Sequence, residues 1–188
     1  MDLENLKRIY AAIHDGIYFD EANYYREQTK NFEAVQKLIA NLEGKLCEGG
    51  EDSYFLLGAL GYCYRVINQS EKAIEVFQRC LDVVGENEKK KMITLIRMGE
   101  AYKYNNQHDL ALQQFEQAGN ILRRGQFTKY VDFLYQHQAK CYFELNALDK
   151  AEVLLEKALE LRKEKADESL IKSTRQVLDE VKKRRRTK

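Results

Sequence analysis

A chain of 188 residues with no proline and only ten glycines is poorly suited to the many tight turns of a β-sandwich or barrel, because these two residues are common turn formers and proline is the strongest breaker of helix interiors. Hydrophobic residues at 44% and charged residues at 32% form a globular balance that argues against disorder over most of the length. The formal net charge of +1 hides an asymmetry: the last seven residues carry six positive charges, and subtracting those six leaves −5 for residues 1–181, a mildly acidic body unlike that of a nucleic-acid binder.

Residues 1–14 read as a leading helix with Leu3, Leu6, Ile9, Tyr10 and Ile13 on its apolar side, and the polar start from Met1 to Lys7 does not have the form of a signal peptide. From residue 15 the chain repeats itself. A small residue stands three before a tyrosine in Gly61 and Tyr64, Gly99 and Tyr102, and Ala139 and Tyr142. Nine residues past each tyrosine comes an alanine (Ala73, Ala111, Ala151), then a large apolar residue (Phe77, Phe115, Leu155), then a small one (Cys80, Ala118, Ala158). The same frame shifted back finds a worn copy in Ala22, Tyr25, Ala34 and Leu38, with Asn41 out of type. Four repeats at about 15–50, 54–87, 92–125 and 132–164 follow, with small residues spaced 39, 38 and 40 apart.

Within each repeat Tyr18, Leu57, Leu95 or Tyr135 precedes the small residue by four, so the three positions form an i, i+4, i+7 stripe on one helix. Asn68, Asn106 and Asn146 share one repeat position between two expected helices, where asparagine tolerates the left-handed backbone of a tight turn. Each unit is then an antiparallel pair of helices that must stack on its neighbours to bury its face. A capping helix is expected over 166–182, with Leu170, Ile171, Thr174, Leu178 and Val181 in one stripe, followed by a basic tail, 183–188. Residues 1–182 are thus expected to form one domain. The cluster Lys182, Lys183, Arg184, Arg185 and Arg186 fits a nuclear-import or polyanion-binding patch, or the favourable basic end of a helix.

Chemistry is sought and not found. His14, His108 and His137 are scattered, and Cys47, Cys63, Cys80 and Cys141 lack metal-ligand spacing. No phosphate loop or nucleophile elbow is present, so the reading is a non-enzyme with no catalytic residue, metal or cofactor. Four cysteines without a secretion signal read as reduced thiols of a cytoplasmic protein, with a nuclear location the alternative. No apolar stretch approaches the length of a membrane span.

The small-x-x-Tyr, Ala, Phe, Ala pattern resembles that of the tetratricopeptide repeat (TPR) family, over roughly residues 15–164, in a long-repeat variant similar to kinesin light chains and to peptide-sensing regulators of the Rap type. The resemblance implies an all-α, right-handed solenoid of four TPR-like helical hairpins. The family's usual 34-residue repeat closes on a proline, replaced here by Leu46, Gly85, Arg123 and Lys163; the second helices are therefore expected to run about one turn longer and to stop near Gly49, Gly85 and Gly125.

The resemblance also implies a groove lined by the first helices. Its candidate residues are Phe19 and Asn23, then Phe55, Tyr62 and Arg65, then Ile93, Arg97 and Lys103, and finally Phe133, His137 and Lys140. Aromatic residues interleaved with arginine and lysine suit a peptide or partner helix bearing apolar and acidic groups. The alternative is that these aromatics pack within the chain, against neighbouring repeats or the carboxy-terminal helix. Gly58 and Tyr62 stand where the family's chaperone-tail clamp carries lysine and asparagine, which disfavours that ligand. The functional reading is an interaction scaffold; its alternatives are a peptide-sensing regulator and a nuclear or nucleic-acid-associated factor acting through the tail. No membrane partner is expected, and a homo-oligomer is left open.

Overall fold

The structure, a computed structural model, describes residues 1–50 and 52–187. Among them nine helices run in chain order: α1 (Leu3–Ile13), α2 (Phe32–Glu48), α3 (Ser53–Val66), α4 (Ser70–Val83), α5 (Glu88–Tyr104), α6 (His108–Arg124), α7 (Val131–Glu144), α8 (Leu148–Glu164) and α9 (Glu168–Arg186). Successive helices pack pairwise, and α3, α5, α7 and α9 also touch one another in series. The result is a TPR-like helical solenoid. No helix among the described residues is long and apolar enough to cross a membrane.

The repeated residues explain the stacking. Ala73, Phe77, Ala111, Phe115, Ala118, Ala151, Leu155 and Ala158 are all essentially inaccessible. A Cβ on Gly61 would lie 2.6 Å from the Phe77 ring, and one on Gly99 would lie 2.5 Å from the Phe115 ring. Each glycine therefore admits the phenylalanine of its own pair. In the following pair the equivalent positions hold Ala139 and the smaller Leu155, both buried in one apolar cluster, so a larger residue on one helix goes with a smaller one on the other.

Asn68, Asn106 and Asn146 all adopt positive φ, at 62°, 59° and 58°. Each turn closes the same way. The Asn106 N–H donates to the Lys103 carbonyl and the Gln107 N–H to the Tyr102 carbonyl, capping carbonyls that the end of α5 leaves without helical partners. Ala166 repeats this geometry between α8 and α9 at φ 55°. The second helices stop beside Gly49, at Val84 before Gly85, and at Gly125.

The first unit departs from the sequence reading. The segment expected to be the first helix of the first repeat is instead an antiparallel hairpin, β1 (Ile17–Asp20) with β2 (Arg26–Thr29), with Tyr18 opposite Gln28 and Phe19 opposite Glu27. Ala22 is exposed and Tyr25 lies at the hairpin tip, so neither plays its signature role. The expected leading helix α1 packs against α2 and supplies the first member of that pair. The physical reason lies in the side chains. Ile17, Tyr18 and Phe19 favour a strand, while Arg26 to Thr29 offer no apolar face to a helix. Tyr24 and Tyr25 turn the chain in left-handed conformations, at φ 54° and 58°. Such backbone costs a non-glycine residue roughly 1–2 kcal/mol, and surrounding contacts must hold it.

The carboxy-terminal helix is also longer than expected. It continues through Arg186, so most of the anticipated tail is helical; Lys188 lies outside the described residues.

Candidate interaction site

The candidate groove is the face formed by the first helices of the pairs, and the hairpin lies across it. Strand β2 runs from α7 towards α3. At its start the Tyr25 carbonyl accepts a hydrogen bond from Lys140 Nζ at 2.8 Å. Arg26 then reaches Glu144 at 2.6 Å and donates to the carbonyls of Lys103 and Tyr104 at the end of α5, where the helix dipole favours a cation. Glu27 pairs with Arg65 at 2.5 Å, and its backbone N–H donates to the Tyr104 hydroxyl. Gln28 exchanges two amide hydrogen bonds with Asn68, at 3.0 and 3.2 Å.

The tip is clamped by α7 and α9. Tyr24 meets Phe143 edge-on, and the Arg184 guanidinium covers both rings. Tyr25 packs with Val177, Leu178 and Val181. These contacts hold the two left-handed tyrosines in place.

Beneath the hairpin the helices carry their own charge pairs. Arg65 lies 3.5 Å from Glu100, which also lies 3.1 Å from His137. Lys103 lies 3.5 Å from Glu144, which accepts from His108 at 2.8 Å. Burial raises the carboxyl of Glu100, but Arg65, His137 and Lys103 outweigh it and hold the acid below its ordinary range. Glu144 is likewise held down against burial by Arg26, Lys103 and His108. Lys140 differs. It is only 7% exposed and has the Tyr25 carbonyl and the Phe19 ring as neighbours, with no carboxylate within 4.0 Å among the described residues. Burial, then the neighbouring Lys103, pushes its ammonium down to about 7.

The sequence-selected residues thus separate into four groups. Phe19 and Asn23 belong to the hairpin laid on the groove, not to a lining helix, a correction that follows from the strand geometry. Phe55 and Tyr62 lie beneath α1: Tyr10 meets both edge-on at 5.8 Å, and His14 stacks on Tyr62. Arg65, Lys103 and Lys140 are buried under β2. Ile93, Arg97, Phe133 and His137 remain around an open pocket of 290 Å³, completed by Ile96, Glu100 and Tyr130.

Arg97 is the charged residue of that pocket still without a partner. No carboxylate oxygen lies within 4.0 Å of it among the described residues, whereas Glu100 is already engaged by Arg65 and His137. The glycine at Gly58 makes room for it, since a Cβ there would sit 2.7 Å from Arg97 Nη1. The residue that departs from the chaperone-clamp pattern therefore has a local role in positioning a cation.

Sequence reasoning missed Glu27 and Glu144, the carboxylates that join hairpin and groove. Their signal was weak, because single charged residues at helix ends and in a polar segment carry no periodicity. The basic cluster is largely engaged: Lys182 pairs with Glu152 and Glu156, Lys183 and Arg184 with Glu180, and Arg185 with Asp149 and Glu152. Cys63 and Cys141 are buried thiols, pushed up to about 12, and among the described residues no three His, Cys, Asp or Glu side chains gather as a metal site.

Comparison with known proteins agrees with this architecture. The tetratricopeptide repeat profile matches residues 54–83 and 134–165, the α3–α4 and α7–α8 pairs. No curated protein matches by sequence. Among solved structures, the apo form of RapI superposes with a TM-score of 0.68 at 20% identity, covering 84% of this chain and 59% of RapI. PcrH in complex with the chaperone-binding region of PopD gives 0.57 at 21% identity, covering 72% of this chain and 96% of PcrH; PcrH is from Pseudomonas aeruginosa. A kinesin light chain with TPR-like repeats from Podospora anserina gives 0.61–0.63 at 13–14% identity and covers most of both chains. The chain spans less than two thirds of RapI, and these likenesses establish the fold: a TPR-like repeat protein.

Proposed function

We propose that the protein is a non-catalytic interaction scaffold in which the open half of the groove receives a short partner segment, one large apolar side chain entering between Ile93, Ile96, Tyr130 and Phe133 and a carboxylate meeting Arg97. The observation that carries this reading is an unpaired guanidinium beside an apolar pocket of 290 Å³. A cation left without a carboxylate next to exposed apolar surface contributes little to folding, yet arginine with aromatic neighbours is the usual composition of a binding hot spot. The PcrH structure, solved with a bound region of PopD, supports a protein-binding role for this architecture.

A displayed peptide library tests the proposal. The wild-type chain is expected to enrich segments with an acidic residue near a large apolar one, and Arg97→Glu is expected to abolish the acidic preference while Phe133→Ala weakens the apolar one. Enrichment without acidic residues, or an unchanged profile for Arg97→Glu, would count against it.

A further inference from the structure

The filled half of the groove carries a second message. The carboxylates of Glu100 and Glu144 already serve Arg65 and Lys103 from within the helices, so this floor holds paired charges without any contribution from the hairpin. On top of these pairs β2 adds adjacent side chains of opposite sign, Arg26 to Glu144 and Glu27 to Arg65, together with the Tyr25 carbonyl on Lys140. An extended strand laid across successive helices, with side chains reading charges and a carbonyl reading an ammonium, is bound as a peptide ligand would be.

We propose that the hairpin is a resident ligand of the groove, displaceable by an extended segment that presents a basic residue followed directly by an acidic one. Three features support displacement. The helices keep charge pairs when the strand leaves, the tip is held in two left-handed tyrosine conformations that are relieved on release, and Lys140 has no carboxylate of its own among the described residues. A second extended strand carrying an acidic side chain into this space could satisfy Lys140 better than the resident carbonyl does. This inference rests on the groove being an interaction surface, but not on the Arg97 pocket.

The probe is a labelled synthetic peptide of residues 16–31 of this chain, added to the full-length protein. In the wild type the resident strand competes, and apparent affinity falls in proportion to the fraction of molecules with an open groove. In Arg26→Ala with Glu27→Ala the hairpin loses its two charge pairs while Glu144 and Arg65 keep partners, so the peptide is expected to bind about tenfold or more tightly than to the wild type. Equal binding by both proteins, or no binding to a variant whose circular dichroism matches the wild type, would overturn the proposal.

A second measurement needs no substitution. In native-state hydrogen exchange, the Glu27 amide is expected to exchange through a local opening, well before amides in the middle of α5 and α7. Exchange of this amide only at the rate of global unfolding would also overturn it. Neither readout involves an outside partner, so their failure is separate from failure of the Arg97 pocket.

Discussion

Two halves of one groove use the same residue types differently. Beneath the hairpin Arg65, Lys103 and Lys140 are buried and, apart from Lys140, matched to carboxylates; in the open half Arg97, beside Ile93 and Phe133, has none. Arginine and lysine on a repeat face are therefore not interchangeable signs of binding. Whether such a cation serves folding or recognition depends on whether the chain itself covers it.

The sharpest way to break this comparison is Glu144→Ala, which strips a buried carboxylate from Arg26, Lys103 and His108. Removing one member of a buried charge cluster costs about 3–5 kcal/mol, and denaturant midpoints should show a loss of that size. A second test is pH. The folded ammonium of Lys140 titrates at about 7, below its ordinary 10.5, so the unfolded chain binds more protons between those values and stability contributed by this group rises with pH. Between pH 6.5 and 8.5 the rise should be on the order of 1–2 kcal/mol, and it should vanish in Lys140→Met. The buried thiols Cys63 and Cys141 act in the opposite sense above their ordinary 9, so the difference between the two proteins, measured below that pH, isolates Lys140.

Smaller effects should separate equivalent turns. The Asn106 side chain accepts from Arg26 at 2.9 Å, whereas Asn146 occupies the same left-handed turn away from the hairpin. Glycine relieves the backbone at both, but Asn106→Gly also loses a hydrogen bond to a charged group, worth about 1.5 kcal/mol. Thermal unfolding should therefore rank Asn106→Gly below Asn146→Gly. The smallest change is expected from Arg97→Ala, within about 0.5 kcal/mol of the wild type, despite its central place in the proposed site. A large stability loss there would mean that Arg97 serves the fold and not a partner.

Much of the architecture could be read before any coordinates. The three regular pairs announce themselves because each position recurs: a small residue where Phe77 or Phe115 must enter, an alanine at the helix contact, an asparagine at the left-handed turn. The stop points near Gly49, Gly85 and Gly125 were legible for a similar local reason. The first repeat was misread because Ala22 and Tyr25 match the frame by residue type alone, while the hairpin that contains them is held by residues far away in the chain; Arg26 and Glu144 are separated by 118 positions. The groove list placed Phe19 and Asn23 on a helix that is a hairpin, and for its residues on α3, α5 and α7 it could not tell that Phe55 and Tyr62 lie under α1 or that Lys140 lies under β2.

The sequence by itself determined the repeating helical pairs, their turns and the apolar stripes that stack them, since these depend on residue type and spacing over a few turns of helix. Only the tertiary structure decided which half of the groove is free. That choice depends on a polar segment with no periodicity of its own, which becomes a strand because the stacked helices supply the charges, carbonyls and aromatic clamp that it lacks.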